Sequence, residues 1–136
     1  MSRHVLLLLL LPLVAMACTR KSELPPEEAA KQAAQESAFA SYEHLLSGHY
    51  EKFLEGRAGM DSIPAGYREQ LIASYRQFMA QQEEAHQGIK SVVVNNVRID
   101  STLQLIQVFL ILNYADSTHE EVVVPMVEYN GRWLMK

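Results

Sequence analysis

The sequence predicts an α+β domain: three helices followed by an antiparallel meander of four strands. Three observations carry that reading. Between Glu27 and Gly88 the apolar residues recur at three- and four-residue intervals, the spacing of a helix that buries one face. After Gly88 the chain becomes rich in Val and Ile and its period shortens toward two. Asn130-Gly131 then joins two apolar segments in the manner of a two-residue hairpin of the primed type. Helices first and strands afterwards is the order of an α+β architecture rather than an alternating α/β one.

The first helix is expected from Glu27 to about Ser47. Ala30, Ala34, Ala38, Tyr42 and Leu45 form its stripe, widened by Phe39 and Leu46. An alanine stripe lets a helix lie close to its neighbour while burying little area per residue. Pro25-Pro26-Glu27-Glu28 suits the start, because proline is tolerated in the first turn and carboxylates favour the positive end of the helix dipole. Gly48 ends the helix. A short second helix, His49 to Glu55, presents Tyr50, Phe53 and Leu54. Gly56 to Ser62 reads as a turn-rich link. Asp61 or Ser62 is placed to cap a third helix with Pro64 in its first turn. Its buried face is expected to carry Tyr67, Leu71, Tyr75, Phe78, Met79 and Gln82, with Ile72 beside them; Gly88 closes it.

Ile89 to Asp100 is the first strand, and its alternation slips at Asn95-Asn96, as a bulge would make it do. Asp100-Ser101 turns into a second strand, Thr102 to Tyr114. The third runs from His119 to Tyr129 and the fourth from Arg132 to Lys136. Pro125 conflicts with a strand flanked on both sides, since it has no N–H to give; a bulge or lost pairing is expected there. The second strand is apolar on both faces, with Leu105, Phe109 and Ile111 on one and Ile106, Val108, Leu110 and Leu112 on the other. Helices cover one face of such a sheet. The other calls for a second copy of the chain, another partner or ligand, or a curl of the sheet on itself.

Ahead of the domain lies a different kind of segment. Arg3, the apolar run Val5 to Leu11 and the small-residue approach Ala15-Met16-Ala17 lead to Cys18, the only cysteine among 136 residues. The apolar stretch is shorter than the ~20 residues a spanning helix needs. The arrangement resembles a bacterial lipoprotein signal peptide, which implies that residues 1–17 are removed and Cys18 is lipidated. The domain plan is then signal peptide 1–17, lipidated cysteine and tether 18–26, and one domain 27–136. The alternatives are an ordinary cleaved signal, leaving Cys18 as a stray thiol, and an uncleaved membrane anchor. By analogy Thr19, which is not an inner-membrane retention aspartate, points to a lipid anchor in the outer membrane facing the periplasm. The formal charge of −4, with no basic cluster, excludes nucleic acid as a partner.

The pattern Tyr42-x-x-Leu45-Leu46-x-Gly48-x-Tyr50-x-x-Phe53-Leu54, a further helix, and a meander ending in Tyr129-Asn130-Gly131-Arg132-Trp133 resembles the nuclear transport factor 2-like superfamily. The likeness is to the small bacterial lipoproteins that carry lumazine-binding-like or cystatin-like versions of that fold. It implies a cone: helices packed on a strongly curved four-stranded sheet, often with a pocket inside and often dimeric through the sheet's outer face. Enzymes of the superfamily, such as ketosteroid isomerase and polyketide cyclases, set an acid and a base inside the cone. No such pair stands out on inward positions here.

Tyr42, Tyr67, Tyr75, Tyr114 and Trp133 are the candidate pocket-lining residues. The tyrosines also read as core aromatics whose hydroxyls reach the edge, and Trp133, if not a lid on the pocket mouth, as a core plug anchoring the last strand. His44 and His49 match no metal spacing. Glu83-x-x-His86 has the spacing of half a di-iron motif but lacks the other half, and reads as a solvated helix end. His119-Glu120-Glu121 reads as a polar strand edge. The expected protein is therefore a lipid-anchored, non-catalytic domain that takes a small apolar ligand or a protein partner, with a homodimer through the sheet face and no cofactor or metal. The alternative is an isomerase- or dehydratase-type enzyme using the cone.

Overall fold

The computed structural model describes residues 24–136. The expectations that fall on the signal peptide, on Cys18 and on most of the tether lie outside the described residues. The order of elements is α1 (Pro26–Leu46), α2 (Tyr50–Glu55), α3 (Ala65–His86), β1 (Ile89–Asp100), β2 (Leu105–Tyr114), β3 (His119–Tyr129) and β4 (Arg132–Met135). The strands form one open antiparallel sheet in the order β1-β2-β3-β4. The domain is α+β, with N-terminal helices packed on a four-stranded sheet in the architecture of the nuclear transport factor 2-like and cystatin-like cone.

α1 starts where the proline pair directs it, with Pro26 in the first helical position and the Pro25 carbonyl accepting from Ala29 N–H at 2.9 Å. Ala34, Ala38, Ser41 and Leu45 are its buried residues, so the alanine stripe does lie against the sheet. The closeness extends to the turn after α2. A side chain added at Gly56 would place its Cβ 2.5 Å from Ser41 Oγ.

α3 keeps the expected period but not the expected depth. Leu71, Ile72, Tyr75, Phe78, Met79 and Gln82 are half-buried, no residue of the helix is fully buried, and Tyr67 is 48% exposed. The inner face of the sheet belongs chiefly to α1; α3 lies beside it, against α2 and β1. Its cap differs as well. Pro64 occupies the cap position at φ −59° and ψ 146° and receives no side-chain cap from Asp61 or Ser62. The rigid proline orients the first turn by itself, its carbonyl accepting from Arg68 N–H at 3.0 Å.

In the sheet, the slip at Asn95-Asn96 is a register shift between Val94 and Asn96, and a second shift lies between Ile89 and Ser91. β2 begins three residues later than expected. Gln104 adopts a positive φ of 54°, and the Asp100 carboxylate accepts from Leu103 N–H at 3.0 Å, so Ser101 to Gln104 turn before Asp100 pairs with Leu105.

Pro125 neither bulges the sheet nor breaks its pairing with β2, since Gln107 faces Pro125 in unbroken register. The physical reason is direction. Pro125 turns its carbonyl toward β4, where Lys136 N–H donates to it at 2.9 Å, and in a strand a residue's N and O point the same way. Its missing donor is on the β4 side, and the ladder to β2 loses nothing. Asn130 and Gly131, at φ 50° and 78°, make the expected primed turn.

Ile106, Val108, Leu110, Leu112 and Tyr114 are buried on the inner face of β2, beneath the helices. On the outer face Leu105 is buried, Phe109 and Ile111 are half-buried, and Val93 and Val123 beside them are 44% and 48% exposed. That face is neither dry nor bare.

Candidate functional site

The structure does not gather the five aromatic residues named from the sequence. Tyr67 stands in solvent at the start of α3. Tyr42 and Tyr75 flank Phe53, with perpendicular rings at 5.5 and 4.8 Å, and line a recess with it. Trp133 lies elsewhere, half-buried against the core where Ser37 Oγ donates to its carbonyl at 2.6 Å. Tyr114 is in a third place, buried at the end of β2.

It is at Tyr114 that titratable groups converge. The ring of His86, the last residue of α3, stacks on Tyr114 with centroids 4.1 Å apart and planes 17° from parallel. His86 Nδ1 lies 3.0 Å from Asp116 Oδ2, in the β2–β3 turn. A carboxylate only accepts, so Nδ1 carries the proton and Nε2 of the neutral ring keeps its lone pair. Asp116 is itself held: Thr118 donates to Oδ1 through its hydroxyl at 2.5 Å and through its backbone N–H at 2.9 Å. Those two bonds first, and then the one from His86, bring the Asp116 carboxyl down to about 2. It stays charged across the whole neutral range. Tyr114 Oη donates to Glu120 Oε2 at 2.7 Å; burial, and after it the bond and charge of Glu120, push the phenol up to about 12.

Main-chain bonds fix the frame. Asp116 N–H donates to the His86 carbonyl at 3.1 Å and Ala115 N–H to the Gly88 carbonyl at 2.9 Å. Gln87 takes a left-handed φ of 63° to turn the chain out of α3. The imidazole is thus oriented by a carboxylate on one edge and by a ring on its face, with its side chain 35% exposed to anything that approaches. Such an arrangement can take a proton at Nε2 and stabilise the imidazolium that results.

His86 is more than a solvated helix end, and Glu120, exposed at the polar start of β3 as expected, also accepts from Tyr114. Sequence reading missed the site because Asp116 and His86 are thirty residues apart. The local signal was Asp-Ser-Thr in a turn, a pattern in which the aspartate is held by its own neighbours. Among the described residues no group of three or more His, Cys, Asp or Glu is placed to hold a metal ion.

The chain matches no protein-family model and no curated protein. Among solved structures it resembles the crystal structure of a Campylobacter jejuni protein assigned as an NTF2-like transpeptidase. The TM-score is 0.55 at 12% identity, over 82% of this chain and 97% of that one. Helices, sheet and this likeness together define an NTF2-like fold. The likeness also overturns the expectation of a non-catalytic domain. The fold is found in a protein assigned to an enzyme class, so it supplies no ground for setting catalysis aside.

Proposed function

We propose that the protein is an acid–base enzyme of the isomerase or dehydratase type, held at the cell envelope by a lipid on Cys18, with His86 as the general base and Asp116 as its positioning residue. The observation that supports this reading is the 3.0 Å contact between His86 Nδ1 and an aspartate kept ionised by Thr118. In the reaction Nε2 takes a proton from a carbon next to a carbonyl. The imidazolium is stabilised by Asp116 and returns the proton to another atom of the same substrate, either a carbon or a departing hydroxyl.

Acyl transfer of the transpeptidase kind is supported less well. It needs a nucleophile in reach of the base. The hydroxyl nearest the dyad, that of Thr118, gives its hydrogen to Asp116. Ser37 and Ser74 donate to the main-chain carbonyls of Trp133 and Leu71. The envelope location rests on the lipoprotein-like sequence before Thr19. Pairing of two copies through the outer face of the sheet belongs to the same reading and rests on the exposed Val93 and Val123 beside Phe109 and Ile111.

The test is exchange of α-hydrogens in small enolisable ketones in deuterated water, followed by proton NMR with the full-length protein in micelles. His86→Ala should slow exchange by about 10²-fold or more, and Asp116→Asn by less. Equal rates for the native protein and His86→Ala would refute the assignment.

A further inference from the structure

A second place in the fold has the chemistry of a binding site. Tyr42 of α1, Phe53 of α2 and Tyr75 of α3 meet Val124 and Met135 of the sheet around a recess of about 250 Å³. Its walls are rings and aliphatic groups. Two of its lining residues have cationic side chains, Arg57 and Lys136, in a chain whose formal charge is −4. No aspartate or glutamate stands among its lining residues.

Arg57 is held rather than loose. Its backbone forms a single parallel bridge to Met135, fixed on either side by Met135 N–H to the Gly56 carbonyl at 2.8 Å and Ala58 N–H to the Met135 carbonyl at 2.7 Å. Its guanidinium donates to Tyr75 Oη at 2.8 Å. Among the described residues it pairs with no carboxylate, so most of its five N–H donors are left for something else. Tyr75 Oη accepts from Arg57 and therefore keeps its own proton to give. Tyr42 lies on the other side of Phe53, and burial raises its pKa, so it too remains a protonated phenol.

We propose that this recess binds a small organic carboxylate with an apolar body, the carboxylate on Arg57 and the apolar part against Tyr42, Phe53, Val124 and Met135. A guanidinium fork and a phenol O–H are both donors suited to a carboxylate, and such charge-assisted bonds are about twice as strong as neutral ones. The volume is small for a ligand pocket, which limits the apolar body to one ring or a short chain. The site is separate from the His86 site. Tyr75 and His86 are eleven residues apart on one helix, about 16 Å along its axis. Neither proposal depends on the other.

The experiment is calorimetric titration of the full-length protein in micelles with 3-phenylpropanoate, and with its neutral amide as the comparison. The acid should bind one per chain and the amide at least about tenfold more weakly. Arg57→Gln should weaken the acid by a similar factor, while Arg57→Lys and Tyr75→Phe retain more of the affinity. Because Arg57→Gln also removes a bond to α3, amide-proton shifts in the native protein supply a second readout. With the acid they should move at Phe53, Arg57 and Tyr75 and stay still at His86 and Asp116. Absence of binding, equal binding of acid and amide, or shifts centred on His86 would each overturn the proposal.

Discussion

Asn95 and Glu121 belong to strands that never pair, yet their side chains meet at 2.8 Å above the outer face of the strand between them. β1 and β3 flank β2, so the contact spans two strand spacings, roughly 9.5 Å. The bulge makes it possible. Asn95 has no partner in the register, since pairing passes from Val94 to Asn96. Its amide then reaches over β2 to the carboxylate of Glu121, which itself faces Ile111. This bridge gives part of the cover that the two-faced apolar strand requires, from within the chain.

The rest of that face defines the first prediction. Val93 and Val123 are left open beside Phe109 and Ile111. Light scattering of the full-length protein in micelles should show two copies per particle, and Val123→Lys should return it to one. A native protein that stays single at high concentration contradicts pairing through this face.

The second concerns close packing of α1. Gly56 has an ordinary backbone, and the obstacle to a side chain there is Ser41 Oγ at 2.5 Å, not conformation. Gly56→Ala should lower stability by about 1–3 kcal/mol in denaturant unfolding, as overpacking does. Adding Ser41→Ala should recover part of that loss, because the clashing atom is gone. Additive losses in the double variant would show that the contact is not the cause.

The third is the behaviour of Asp116 in acid. A carboxyl lowered to about 2 from an ordinary 3.8 contributes stability that is complete above pH 4 and is lost as pH falls toward 2. Carbon-13 NMR should follow its titration near 2. Thr118→Val removes the largest cause and should move the midpoint up toward the ordinary value. Titration of native Asp116 near 4 would contradict the hydrogen bonds from Thr118.

The fourth lies at the alkaline end. Tyr114, raised to about 12 from 10, favours the folded state with its proton on. That contribution is full below pH 10 and is lost as pH rises through 12. Phenolate absorbance should show the most resistant tyrosine disappearing in Tyr114→Phe. In Glu120→Gln, Tyr114 should titrate earlier, because a neutral side chain no longer disfavours the phenolate.

The fifth addresses the segment before the domain. Cys18→Ala should shift the protein from the membrane fraction to the soluble one. Its retention in the membrane would contradict lipidation.

How much of this was legible beforehand differs by element. The four strands were readable because a period of two, a bulge and an Asn-Gly turn are local in sequence. So was α1, from its alanine spacing and proline start. Pro125 shows where local reading fails. A proline's cost depends on which neighbour its nitrogen faces, and only the register puts that nitrogen on the β4 side. α3 shows the same thing, since periodicity tells which side turns inward but not how deep the helix sits.

By itself, the sequence determined the α+β order, the four strands after Gly88 though not where β2 begins, both apolar faces of β2 and the candidate lipid site at Cys18. Tertiary structure alone decided that His86 meets Asp116, that Arg57 reaches Tyr75, and that Asn95 reaches Glu121. Helix and strand periods are set by backbone geometry over a few neighbouring residues and are written in their spacing. Contacts across eighteen to thirty residues depend on where rigid elements come to rest, which no local pattern records.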